Sequence, residues 1–150
     1  MKASKRAYNL IKEFESLQLK SYRCPAGVWT IGYGNTSMAK EGMIIDKKTA
    51  EEFLQRDIRE MERAIESNVR ASVLPLLTQN QFDALISFIF NVGVGNFQKS
   101  TLLRKLNEGD IKQAADEFMK WTKAKIDGEY KDLPGLIKRR TKEREVFLER

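Results

Sequence analysis

Eleven consecutive residues, Phe82-Asp83-Ala84-Leu85-Ile86-Ser87-Phe88-Ile89-Phe90-Asn91-Val92, are apolar almost all round a helical wheel. A helix with that distribution has no face suited to water and belongs in the middle of other helices. Thr78-Gln79-Asn80-Gln81 offers a capping box at its start, and Gly93 and Gly95 break it. The rest of the chain must therefore cover a buried rod.

Amphipathic segments are present to do so. Residues 4–20 repeat apolar side chains at Ala7, Leu10, Ile11, Phe14 and Leu17, the period of a helix with one buried face. From Asp46, Leu54, Ile58, Met61 and Ile65 mark a second helix whose other side is densely charged, with Thr49-Ala50-Glu51-Glu52 as a capping box near its start. Ser100 begins a short helix closing near Gly109, and Asp110 caps another that runs through Phe118 and Trp121. Residues 127–135, with Gly128, Pro134 and Gly135, read as a loop before a basic helix from Leu136.

One region breaks this helical pattern. Residues 21–36 set Gly27, Gly32 and Gly34 among Val28, Trp29, Ile31 and Tyr33, which predicts a short, strongly bent β segment. The expected class is α+β, mainly α, as one domain over 1–150. It divides into a small N-terminal lobe with a β-hairpin (about 12–60) and a helical lobe (about 61–150) that also takes the N-terminal helix. A chain of this length buries about 70% of its unfolded surface, enough for a real core.

Composition narrows the chemistry. There is no histidine, which removes His-based triads, the usual zinc sites and the commonest general base. The single cysteine, Cys24, excludes an intrachain disulfide framework. No run approaches a membrane span, and Met1-Lys2-Ala3-Ser4-Lys5-Arg6 is not followed by an apolar leader segment, so the expectation is a soluble chain made in the cytoplasm without stable membrane insertion. The net charge of +6 favours polyanionic surroundings without naming them. Nucleic acid is disfavoured as a partner, because the aromatics interleave with glycine rather than with lysines along one face.

Acid–base work therefore falls to carboxylates, the thiol, Tyr or Lys. Glu15 falls at the edge of the first helix's apolar face, beside Ile11 and near Tyr8, where a carboxyl held against apolar groups has its pKa raised and suits a general acid. Cys24 follows nine positions later and Thr30 six after that. Taken singly, each has an ordinary reading: a solvated helix acid, a small buried hydrophobe, a β-former.

As a set, they sit in Tyr22-Arg23-Cys24-Pro25-Ala26-Gly27-Val28-Trp29-Thr30-Ile31-Gly32-Tyr33-Gly34, and this block resembles the phage-type lysozymes of glycoside hydrolase family 24. The resemblance continues in order through Phe88–Phe97, Ser100-Thr101-Leu102-Leu103, Trp121, Gly135–Arg140 and Glu143-Arg144, covering about Leu10 to Phe147. It implies a two-lobed lysozyme-like fold whose cleft takes peptidoglycan and hydrolyses the β-1,4 bond between N-acetylmuramic acid and N-acetylglucosamine. Residue by residue, Glu15 matches the family's proton donor, Cys24 a position held by Asp or Cys, Thr30 the third catalytic member, and Phe97 an aromatic at the substrate cleft. Asn35 departs from the pattern, standing where the family usually has His, so hydrogen bonding near the hairpin must differ.

The second catalytic position holds a thiol. Free thiols titrate near ~8.5, and an anionic Glu15 nearby would raise that, so Cys24 is expected to be mostly neutral and, with Thr30, to position a water opposite Glu15. That arrangement implies inversion at the anomeric carbon. Competing readings are a lytic transglycosylase, which needs only the Glu, and an inactive wall-binding module. No cofactor or metal is implied. The resemblance further implies a monomer held in the host cytoplasm until a holin opens the membrane.

Overall fold

The structure, a computed structural model, describes residues 1–149. Its order is α1 (Lys5–Phe14), β1 (Gln18–Arg23), β2 (Trp29–Gly32), α2 (Lys47–Asn68), α3 (Gln79–Val92), α4 (Val94–Lys99), α5 (Thr101–Asn107), α6 (Ile111–Glu117), β3 (Lys123–Ile126), β4 (Glu129–Asp132) and α7 (Pro134–Leu148). Two antiparallel two-stranded sheets, β1–β2 and β3–β4, accompany the helices. The class is α+β and mainly α, as expected.

The apolar rod is α3. Phe82, Leu85, Ile86, Phe88 and Ile89 are fully buried, and α7 packs most extensively along it, with α1 and α2 on its other sides. Edge-to-face aromatic contacts, Phe88 on Phe118 at 5.1 Å and on Trp121 at 5.7 Å, join α3 to the segment beyond α6. Such pairs add about 0.5–1.5 kcal/mol each to the area they bury. The core is continuous from these rings to Ile31, Tyr33 and Ile45 beside the first hairpin. The buried Asp83 accepts hydrogen bonds from the Ser4 backbone N–H, the Ser4 hydroxyl and Gln79, pinning the start of α1 to α3.

Helix starts follow their capping residues. Thr78 makes the full capping box, Ser100 caps α5 through Leu103 N–H, and Asp110 caps α6 through Gln113 N–H. The capping expectation for α2 was three residues late: Asp46, not Thr49, accepts from the Thr49 N–H. Gly93 ends α3 at φ +92°, whereas Gly95 lies inside α4 and breaks nothing.

Two further expectations change. The first helix stops at Phe14 rather than near residue 20, because β1 is paired on both edges. Thr30 and Trp29 lie opposite Tyr22 and Arg23 on one side; on the other, Ser21 N–H donates to Met43 O and Leu19 O accepts from Ile45 N–H, both at 2.9 Å. Two ladders outweigh the helical period that Leu17 suggests. The loop expected at 127–135 contains a hairpin, turned at Asp127-Gly128 with φ +51° and +83°, the left-handed pair that a two-residue turn requires.

Candidate active site

Glu15 is the C-cap of α1. Its N–H still closes the helix on Ile11 O at 2.8 Å, but its backbone is already extended (φ −102°, ψ +120°), so the side chain leaves the helix end toward α7. There Arg139 Nη1 donates to Glu15 Oε1 at 2.8 Å. The carboxyl side chain is 26% exposed against 3% for the guanidinium, so the acid faces the cleft and the base lies behind it.

Arg139 is itself held from several sides. Its Nε donates to Glu143 Oε2 at 3.2 Å, its Nη2 to Ser87 O at 3.1 Å, and its guanidinium lies over the Phe14 ring at 5.6 Å. Glu143 takes a bond from the Ser87 hydroxyl at 2.6 Å and another from Arg140, which also donates to Asn91 Oδ1 and Trp121 O. Burial pushes the Arg140 guanidinium below its usual value while Glu143 opposes that shift. Two buried guanidiniums face one buried carboxylate here, and Glu15 is the second carboxylate that balances them. A buried charge of this kind persists only when paired and hydrogen-bonded. Among the described residues no buried side-chain polar atom lacks a partner.

The apolar surroundings expected for Glu15 are thus replaced by a guanidinium on one oxygen. The other oxygen, Oε2, lies 3.3 Å from where a Cβ would stand at Gly34, with Phe90 also close. Gly34 has φ +79°, so both backbone and space call for glycine.

Opposite lies the first hairpin. Cys24 follows β1 directly, its N–H donating to Val28 O at 2.9 Å across a tight turn, and Thr30 sits in β2 opposite Tyr22. The Thr30 hydroxyl donates to Val28 O at 3.0 Å and also reaches the Cys24 thiol. Cys24 departs from its expected ionisation: hydrogen bonding to the Val28 backbone, with lesser help from Ala26 and the Thr30 hydroxyl, holds the thiol below its ordinary value, and Glu15 does not contribute. Burial, and then the charges of Glu15 and Cys24, raise the Tyr22 phenol. Thr30 lies directly across the β1–β2 ladder from Tyr22, which precedes Cys24 by two residues.

Phe97 does not join them. It is completely buried in the core at α4, offers no face to a ligand, and the expectation of a cleft aromatic there is corrected. The turn that carries it is short, and an aromatic in a short helix between two longer ones is drawn inward by burial. Asn35 is also buried; its amide donates to both Asp57 oxygens at 3.1 and 3.0 Å and its Oδ1 accepts from Met38 N–H at 3.0 Å. Asn35 is thus a hydrogen-bonded joint between hairpin and α2.

A cleft of about 460 Å³ opens at Glu15, lined also by Phe14, Asn91, Leu133, Pro134 and Arg139. A wider concavity of about 580 Å³ beside Arg70, Lys99 and Arg104 holds none of these groups. Arg139, Tyr22 and Gly34 were not singled out as site residues from sequence. Arg139 stands in a basic run that reads as surface, and only its 124-residue separation from Glu15, closed by α7 packing on α3, makes it a site residue. Chemically, the arrangement offers a carboxyl with one oxygen held by a guanidinium, and, on the first hairpin, a thiol and a hydroxyl.

The chain is similar to known proteins over nearly its whole length. The family model described as phage lysozyme matches residues 12–143. The endolysin of Acyrthosiphon pisum secondary endosymbiont phage 1 is 46% identical over 98% of this chain and 98% of its own, and the endolysin of Salmonella phage P22 is 39% identical over 99% of each. Among solved structures, the muramidase domain of SpmX from Asticaccaulis excentricus superposes with a TM-score of 0.91 at 40% identity over 99% of both chains.

Proposed function

The chain belongs to the phage lysozyme family, and on that premise we propose how its cleft cuts the bacterial wall. It is a glycoside hydrolase that lyses peptidoglycan, an endolysin in the sense of its relatives. The bond cut is the β-1,4 linkage between N-acetylmuramic acid and N-acetylglucosamine.

The observation that carries the mechanism is the divided environment of Glu15. Arg139 occupies Oε1, so Oε2 is the oxygen left to carry a proton to the leaving glycosidic oxygen. Glu15 is the general acid. Cys24 and Thr30 act from the other side of the sugar. With the thiol below its ordinary value, more of Cys24 is thiolate near neutrality than in a free cysteine, and that thiolate takes a proton from a water that the Thr30 hydroxyl helps to orient. Attack by that water opposite the departing oxygen inverts the anomeric carbon.

The protein acts on the cell wall. No helix among the described residues is long and apolar enough to cross a membrane. In our reading it works as a monomer without a cofactor, and waits in the host cytoplasm until a holin admits it to the wall.

Turbidity clearing of outer-membrane-permeabilised Gram-negative cells by wild type and Glu15→Gln tests this, with mass spectrometry and NMR of the products. Clearing by wild type alone, with reducing-end muramic acid of α configuration at the start, supports the mechanism. Anhydro products would make the enzyme a transglycosylase, and a β first product would overturn inversion.

A further inference from the structure

Asn91 lies in the last turn of α3 and lines the cleft at Glu15, and one end of its side-chain amide is already taken. Arg140 Nη2 donates to Asn91 Oδ1. A guanidinium only donates, so of the two ends of an amide the oxygen alone can face it. The neighbour thus decides which way the Asn91 amide is turned, and Nδ2 points away from Arg140. Arg140 has no freedom to release it. The guanidinium is completely buried, lies over the Phe88 ring at 5.1 Å, and donates from Nε to Trp121 O at 3.0 Å and from Nη1 to Glu143 Oε1.

Asn91 itself is exposed, and among the described residues its Nδ2 donates to no protein group. Two N–H donors of fixed direction are therefore open to the cleft. Phe14, Leu133, Pro134 and Leu136 supply apolar wall beside them. The charged residues of the same lining are Glu15 and Arg139, and these are paired with each other. Neither an anion nor a cation finds an unpaired counter-charge there, and a carboxylate would be brought beside Glu15. A neutral group that joins one acceptor to a methyl matches the wall on both counts, whereas a hydroxyl brings no apolar part.

We infer that Asn91 Nδ2 donates to the carbonyl oxygen of an N-acetyl group whose methyl lies against the apolar side chains, so that the cleft selects a 2-acetamido sugar over one bearing a hydroxyl in that place. Asn91 binds and moves no proton. Arg140 acts through it as a positioning residue, holding the amide in the direction that the carbonyl needs before the sugar arrives. The inference rests on the peptidoglycan reading above and deepens it from the bond that is cut to the substituent that is read.

Two neutral β-1,4-linked tetrasaccharides test it: chitotetraose carries an acetamido group on every ring, and cellotetraose carries a hydroxyl in the same place. In a Glu15→Gln background, where nothing is cut, the Asn91 side-chain N–H signals in a nitrogen–proton NMR spectrum are expected to move downfield with chitotetraose and to stay still with cellotetraose. Asn91→Asp identifies those signals by their loss. It keeps an oxygen for Arg140 while removing both donors, so the melting temperature should not fall and chitotetraose binding should weaken about tenfold, the size of one hydrogen bond. Asn91 signals that ignore chitotetraose or answer both sugars alike overturn the proposal, as does unweakened chitotetraose binding by a folded Asn91→Asp protein. Cell clearing by the active protein is read alongside. Clearing without discrimination at Asn91 removes this inference and keeps the hydrolase, and discrimination without clearing does the reverse.

Discussion

Gly34 and Glu15 meet so closely that a methyl group on the former would lie 3.3 Å from Oε2 of the latter. The missing side chain leaves room for the oxygen that Arg139 does not hold, and the glycine stands there in a left-handed backbone at φ +79°. Gly34→Ala should destabilise the fold by about 1–2 kcal/mol through that backbone conformation alone. By displacing the carboxyl a fraction of an ångström it should also lower kcat by about 10–100-fold with little change in KM. Denaturant melts and steady-state rates on sacculi check both; an unchanged kcat would separate Oε2 from the chemistry.

Glu143 does not line the cleft, yet it holds Arg139, the guanidinium that positions Glu15, together with Arg140. Glu143→Gln leaves those charges with one carboxylate between them. Stability should fall by about 3–5 kcal/mol, the usual cost of breaking a buried pair. Activity of the remaining folded protein should fall too, because Arg139 loses its Nε partner. Urea denaturation and rates measured well below the melting temperature distinguish the two losses.

The pH profile should report Cys24. If the thiolate is the base, kcat/KM rises with pH through a value below the usual thiol range of ~8.5, since backbone amide donors favour the charged form. Cys24→Asp should stay active with its rising limb moved toward ~4, and Cys24→Ser should lose the limb. Initial rates between about pH 4 and 9 decide it. A wild-type profile identical to that of Cys24→Ser would remove the cysteine from the mechanism.

Asp57 should make stability depend on pH in the opposite sense to most carboxylates. Desolvation raises its pKa, and the Asn35 amide only partly offsets this. The folded state therefore holds the Asp57 proton more tightly than the unfolded chain, so this group's contribution is fully present below ~4 and is lost as pH rises through the folded value. Asp57→Asn should remove that slope while keeping a hydrogen bond to Asn35. Thermal melts of both proteins across about pH 3–7 test it, and parallel curves would contradict the assignment.

Much of this was readable along the chain. The apolar period of α3, the caps at Thr78, Ser100 and Asp110, and the Glu15, Cys24 and Thr30 spacing are local patterns, written in residues a few positions apart. The second hairpin was readable in principle, since Asp127-Gly128 is a strong turn signal. It was obscured because Lys123–Ile126 alternates over only four residues and Glu129–Asp132 has a single aromatic among charges, short of the run that marks a half-buried strand.

The sequence by itself determined a mainly helical chain built around one buried helix, and an acid at the end of the first helix at fixed spacing from a thiol and a hydroxyl on a bent β segment. Only the tertiary structure decided that Arg139 lies inside rather than on a basic surface, that Phe97 is core rather than cleft, and that burial raises the pKa of Asp57 while backbone amides lower that of Cys24. The reason is physical. Periodicity and capping depend on neighbours in the chain, whereas pairing, burial and ionisation depend on which distant groups the packing of α7 on α3, and of the hairpin on α2, brings within hydrogen-bond range.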